Sequence, residues 1–228
     1  DGLFVVEADE YDRSFLTLTP TIAVVTNVEA DHLDIYRDLD DIAATFSRFI
    51  HDAAVVVLCA DDSGANGLEL PPTAEVIRYG IRSADARLVA SDIRSTGHAT
   101  TFAVSYDGRA LGEVALRVPG HHNVQNALAA IGAGLALGVT LDAMRDGLLQ
   151  FGGVERRFQR LFDVAGVTIV DDYAHHPTEI EATIQAARAS YPDRRIVAAF
   201  QPHLFLTRRH SPVAFAKPPV KAATWFLS

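Results

Sequence analysis

Apolar residues in the first part of the chain fall into short unbroken runs rather than an alternating pattern. Leu3–Val6, Thr21–Thr26 and Ala54–Cys59 are three such runs, and each reads as a buried strand. The first ends in Glu7-Ala8-Asp9-Glu10, the second leads through Asn27 to Glu29-Ala30-Asp31-His32, and the third turns at Asp61-Asp62-Ser63-Gly64. Between the second and third, Asp41 can cap a helix reaching about Ile50, with Ile42, Phe46 and Phe49 on one face. Continuous apolar strands separated by helices predict a mostly parallel sheet covered on both faces.

Residues 75–118 have a different texture. Short β-branched runs broken by Thr96-Gly97 and Asp107-Gly108 predict a small antiparallel sheet. Helical spacing returns at Asn123, with Val124, Leu128, Ile131 and Leu135 on one stripe and Gly138 as the C-cap. Thr140 opens another helix to about Gln150. Phe151-Gly152-Gly153 then reads as a joint, dividing the chain into residues 1–152 and 153–228. Beyond it Val167–Val170 is a strand, Thr178-x-x-Glu181 a capping box for a helix to about Ser190, and Arg195–Phe200 a further strand. The fold class is therefore α/β: a mostly parallel sheet flanked by helices, a small antiparallel insert, and a Rossmann-like C-terminal part. About 75 residues is short for such a domain, usually ~100–150, so that part is expected to be truncated. The chain also starts as if cut just before a strand.

Composition narrows the function classes. AVILMFWYC residues make up 49% and charged residues 21%, enough to bury a core. The formal charge of −9 argues against a nucleic-acid binder, which needs clustered Lys and Arg. The single Cys59 excludes an internal disulfide and fits a reducing compartment. No apolar run reaches the ~20 residues of a membrane span, so a cytoplasmic protein without membrane contact is expected. Lysine is confined to Lys217 and Lys221. Any lysine-dependent chemistry must then come from sequence outside the first 216 residues.

In open parallel sheets ligands bind beyond the carboxyl ends of the strands. Three strands here end in acids: Glu7/Asp9/Glu10, Asp31/His32 and Asp171/Asp172. Carboxylates gathered there suit magnesium together with phosphate oxygens; the plainer alternative is turn residues. Adjacent histidines, His121-His122 and His175-His176, cannot easily both face one zinc ion. No G-x-S-x-G elbow and no G-x-x-x-x-G-K-[ST] phosphate loop is present.

The strings EADEYDRSFL, TNVEADHLD, PGHHNVQNALAA, GGVERRF, DDYAHHPTEIEATI and FQPH occur in this order. Together they resemble the Mur ligase family across residues 1 to about 205. They are most similar to the member that joins L-alanine to UDP-N-acetylmuramate in peptidoglycan synthesis. The relative that attaches ready-made tripeptide to the same sugar shares much of the pattern. The resemblance implies the later part of a central ATPase domain (1–152) and the early part of a C-terminal domain (153–228). The UDP-sugar domain and the phosphate loop with its lysine would lie outside the chain, so residues 1–228 alone are expected to be inactive.

The resemblance also implies roles, with ATP and Mg2+ as cofactors and the two small molecules as partners. Glu7 and His32 match magnesium-site residues. Asn123 and Asn126, one helical turn apart, match nucleotide contacts; simple capping is the alternative. Arg157 matches the arginine that reaches the ATP phosphates from the C-terminal domain, which would require closure over the nucleotide; a surface arginine is the alternative. Asp172 matches the acid that accepts from the ribose hydroxyls, or it is a strand-end cap. Tyr173, His175 and His203 match residues on the amino-acid side, or they are loop packing. The implied reaction makes an acyl phosphate from the substrate carboxylate and the γ-phosphoryl of ATP, then passes the acyl group to the amine.

After FQPH the chain departs from the family pattern. Thr207 stands where an arginine is expected, Arg208 is one step late, and Pro212, Pro218 and Pro219 oppose the helix that should follow. An altered or misread terminus from about residue 206 explains this. From other classes, a magnesium-dependent phosphohydrolase using the same acids and a non-catalytic nucleotide-binding remnant remain as alternatives.

Overall fold

The structure is a computed structural model describing residues 2–96, 99–200 and 223–227. Residues 22–25 (β1), 55–59 (β2), 75–80 (β3), 88–96 (β4), 99–106 (β5) and 109–116 (β6) form one sheet in the order β1-β2-β3-β4-β5-β6. β1, β2, β3 and the start of β4 are parallel, with Val24 opposite Val57 and Val57 opposite Ile77. β5 and β6 are neighbours joined by Asp107-Gly108 alone. Only an antiparallel pair can be closed by two residues, and both carry the positive φ a primed turn requires, 49° and 74°. The expected antiparallel part therefore extends the parallel sheet instead of forming a separate one, and the parallel region reaches past residue 75.

Helices Leu39–Ile50 (α1), Ser63–Asn66 (α2), His121–Ala136 (α3), Leu141–Gln150 (α4) and Pro177–Ser190 (α5) complete the main elements. Successive strand residues face opposite ways. Val56 and Leu58 accordingly join a core with Tyr36, Ile42, Ile50 and Leu68. Val57 meets α3 on the other face, where a Cβ on Gly132 would lie 2.6 Å from its Cγ1. That close approach explains a glycine inside a helix, where it otherwise costs about 1 kcal/mol. Gly138, at φ +70°, closes α3 as expected, with Val139 N–H donating to the Gly134 carbonyl at 2.9 Å.

In the C-terminal region Gln159–Val164 (β7) and Val167–Asp171 (β8) form an antiparallel hairpin. Ile196–Phe200 (β9) pairs in parallel with Ala223–Leu227 (β10). β7 was not expected from the sequence, because its polar Gln-Arg start hides the strand. The chain divides into two compact units: Asp1–Ser91, Ala103–Gly112 and Gln125–Met144, and then Asp92–Phe102, Glu113–Val124 and Arg145–Ser228. Among the described residues, no helix is long and apolar enough to cross a membrane.

Three local expectations are corrected. Leu3–Val6 is not a strand: among the described residues these four pair with no other strand, and they are exposed, Phe4 to 90%. Apolar composition does not make a strand without a ladder partner. The cap of α1 is Asp38, whose carboxylate accepts from Asp41 N–H; Asp41 lies inside the first turn. α5 starts at Pro177, so the acid three residues past its cap His176 is Glu179, not Glu181. Proline at the first helical position carries no amide that would need a partner there.

Candidate functional site

In the first unit the acidic segment before β1 is held by a kinked 3-10 stretch, Tyr11–Thr17. Asp12 and Arg13 take left-handed φ of 53° and 63°, a conformation that costs non-glycine residues about 1 kcal/mol or more and so needs compensation. Compensation is present. The Arg13 guanidinium lies over the Tyr36 ring at 4.7 Å and donates to Asp41 at 2.6 Å and to Thr45 at 3.4 Å. The Tyr36 hydroxyl donates to the Glu10 carbonyl at 2.6 Å. Asp41 is held down to about 2 by the Arg13 guanidinium and the Arg37 backbone amide, against its own burial.

This brace brings Glu10 to His32. The His32 Nε2 lies 3.6 Å from Glu10 and 3.9 Å from Asp31, and its ring meets the edge of Tyr11 at 5.4 Å. The acids facing His32 are thus Glu10 and Asp31. Glu7 is exposed, and the structure does not bring it to His32.

The turn after β2 braces the same region. Asp62 accepts from Ala65 N–H at 2.7 Å, capping α2, and from Val28 N–H at 3.1 Å, tying down the segment that leads to Asp31. Asp61 accepts from the amides of Ile81, Arg82 and Ser83 and from the Gln125 side chain at 3.0 Å. Burial opposes its charge, but these four donors outweigh it and hold the carboxyl below its ordinary range. Cys59 is a core residue, with its thiol pushed up by burial. The sequence pattern marks Asp61 and Asp62 only as turn residues and does not single out Gln125. An acid pair immediately after a buried strand was the available signal.

In the second unit, α3 begins at His121, two residues earlier than its apolar spacing indicated. Gly120 supplies the first carbonyl, accepting from Asn123 and Val124. Asn123 lies in the first turn, and its side-chain Nδ2 donates to the Pro119 carbonyl at 2.6 Å. Asn126 lies one turn on, where α3 already belongs to the first unit, and is exposed. His122 is lowered by burial, by Arg157 and by His121, with Asp172 opposing. It therefore shares its electrostatic surroundings with two of the expected site residues.

Four of those residues, Arg157, Asp172, Tyr173 and His175, come together at the start of α5. Asp172 accepts from Phe158 N–H and Ala174 N–H, both at 2.8 Å, pinning the turn before β7 to the turn after β8. Tyr173 lies under the Arg156 guanidinium at 4.4 Å and meets the His175 ring at 5.6 Å. Two of the four, Arg157 and His175, are joined by Glu179, which the sequence pattern does not single out because Thr178-x-x-Glu181 sets the helix start two residues late. Its carboxylate accepts from the amides of His175 and His176 at 3.0 and 3.3 Å and from Arg157 Nη1 at 3.1 Å. Arg157 is thus ion-paired and half-exposed. His203 lies outside the described residues.

The Mur ligase middle domain matches residues 3–134, and the Mur ligase glutamate ligase domain matches residues 156–226. The chain belongs to the Mur ligase family. Among its Mur ligase relatives, the UDP-N-acetylmuramate–L-alanine ligase of Salinibacter ruber is 47% identical over 207 residues, covering 89% of this chain and 43% of the relative. That of Pelobacter propionicus is 46% identical over 214 residues, covering 92% and 46%. The chain spans less than half the length of these curated relatives. In fold it is similar to the UDP-N-acetylmuramate–alanine ligase of Thermotoga maritima, with a TM-score of 0.77 and 25% identity over 97% of this chain and 54% of that one.

Among the described residues no three His, Cys, Asp or Glu side chains converge as a closed metal cage. Magnesium does not require one. It is commonly held by one or two carboxylates, with waters and substrate phosphates completing its shell. The acids around His32 offer donors of that kind.

Proposed function

We propose that this chain is the middle and C-terminal part of a cytoplasmic, ATP- and Mg2+-dependent ligase that joins L-alanine to UDP-N-acetylmuramate. The observation that carries the reading is the 47% identity, over 89% of this chain, to a relative of that name. In this reading residues 1–152 belong to the ATPase domain and 153–228 to the C-terminal domain, and the segment needed for phosphate-loop chemistry is supplied from outside the chain. Residues 1–228 alone therefore do not ligate.

A carboxylate is a poor acyl donor because its leaving group would be an oxide. Its oxygen therefore attacks the γ-phosphorus of ATP, ADP leaves, and an acyl phosphate forms. The alanine amine then adds to the carbonyl carbon, and the tetrahedral intermediate expels phosphate as the nitrogen loses its proton. By the family resemblance Glu7 and His32 would hold the magnesium ion, which would supply positive charge to offset that gathered as two anions meet. Asn123 and Asn126 contact the nucleotide, and Asp172 accepts from its ribose hydroxyls. Arg157 neutralises charge on the transferring phosphoryl group. Tyr173, His175 and His203 line the amino-acid side. The geometry of Asp172 supports its part: its two oxygens each accept one backbone amide, while a carboxylate has about four lone-pair sites.

Heavy oxygen placed in the substrate carboxylate tests the route. One labelled oxygen should leave in the released phosphate, because the carboxylate oxygen becomes the bridge to phosphorus. Unlabelled phosphate would mean that water attacks ATP directly and that no acyl phosphate forms.

A further inference from the structure

Glu179 does more than an acid near a helix start has to do. An acid at the third helical position commonly accepts from the backbone amide of the cap residue, and one carboxylate oxygen suffices for that. In this chain Oε2 does so, accepting from the cap His176 and also from His175 before it. The other oxygen, Oε1, accepts from Arg157 Nη1 at 3.1 Å, 22 residues away in sequence. The same carboxylate faces the His175 ring at 3.5 Å. Burial opposes its charge, yet the two amides and the Arg157 guanidinium keep it ionised below its ordinary range. The neighbouring Arg156 is held elsewhere, by Asp171 at 3.7 Å and by the Tyr173 ring. The two consecutive arginines therefore have different anchors, and only one of them is tied to α5.

We propose that Glu179 is the positioning residue for Arg157, fixing its guanidinium for the terminal phosphates of ATP and coupling that orientation to the turn bearing Tyr173 and His175. The proposal rests on the reading that Arg157 meets those phosphates. Nη1 is one edge of a planar fork with five donors. Held at that edge by a carboxylate that two amides immobilise, the fork loses less freedom when it engages phosphate. The benefit of such preorganisation appears in the step where charge develops.

The test is a double-mutant cycle in the complete ligase. Glu179→Gln keeps an oxygen that can accept the two amides and removes the charge that holds Arg157. The expected result is a kcat lowered at least about tenfold, equivalent to ~1.4 kcal/mol. KM for ATP should change far less, and the melting temperature should fall by no more than a few degrees, as for the loss of one half-exposed ion pair. In an Arg157→Ala background the same substitution should leave kcat nearly unchanged. An equal loss in both backgrounds overturns the proposal, as does full kcat for Glu179→Gln when Arg157→Ala is slow. Normal kcat for Arg157→Ala is a distinct result, which removes the phosphate reading of Arg157 and this proposal with it. Should Glu179→Gln not fold, Glu179→Asp enters the same cycle; it keeps the charge but shortens its reach by a methylene, and the same non-additivity is required of it.

Discussion

Arg13 and Asp41 lie 28 residues apart in sequence, and their side chains meet at 2.6 Å. The pair ties a backbone-strained segment beside the acidic loop to the first turn of α1. It is the brace from which the positions of Tyr36, Glu10 and His32 follow.

That brace has a pH signature. Asp41 ionises at about 2 in the folded chain, against ~3.9 for an ordinary aspartate. Its contribution is therefore complete above about pH 4 and is lost as pH falls through about 2. Melting temperature measured against pH should fall more steeply over that window in the parent than in Asp41→Asn. Parallel curves would mean that the pair does not stabilise the fold.

His122 has a signature of the opposite charge type. Burial, Arg157 and His121 disfavour its cation, and Asp172 only partly compensates. The unfolded chain thus takes up this proton first, at about pH 6.5. Stability is fully present above that pH and declines as pH falls through the lowered folded value. In His122→Asn the decline below about pH 6.5 should be shallower. An unchanged slope would show that this histidine titrates alike in both states.

Much of this was legible in the sequence, for identifiable reasons. β1, β2, α1, α3, α4 and β9 were found because apolar runs and helical stripes report burial directly. Leu3–Val6 misled for the same reason: the run is apolar, but a strand also needs a backbone partner, which a local pattern does not reveal. Arg157, Asp172, Tyr173 and His175 stand in motifs that the sequence shows, and in the structure they lie near one another at the start of α5, which fixes their place but not their roles. Glu179 was missed because proline at the first helical position sets the capping register two residues earlier than Thr178 suggests. The pairs Arg13–Asp41 and Asp61–Gln125 span 28 and 64 residues; no periodicity encodes such distances.

Glu7 and Glu10 compete for one role. The family resemblance selects Glu7, whereas the structure brings Glu10 to within 3.6 Å of His32. In the complete ligase, Glu7→Ala should lower turnover by orders of magnitude with the fold intact, and Glu10→Gln should cost much less. Turnover of Glu7→Ala within a factor of about three, only ~0.7 kcal/mol, would make Glu7 a turn residue.

Arg157→Ala should reduce turnover far more than it reduces ATP affinity measured without the other substrates. The ion pair it breaks is half-exposed, so the stability cost should stay within the ~1 kcal/mol typical of surface pairs. A large fall in melting temperature together with lost activity would point to a packing role instead.

The central claim is the reaction itself. The complete ligase, given UDP-N-acetylmuramate, ATP, Mg2+ and either L-alanine or the stem tripeptide, should form the L-alanyl product, with one ADP and one phosphate released for each amide bond made. Phosphate release without an amide product would show a phosphohydrolase, and product formed only with the tripeptide would show a recycling ligase; either result contradicts the account.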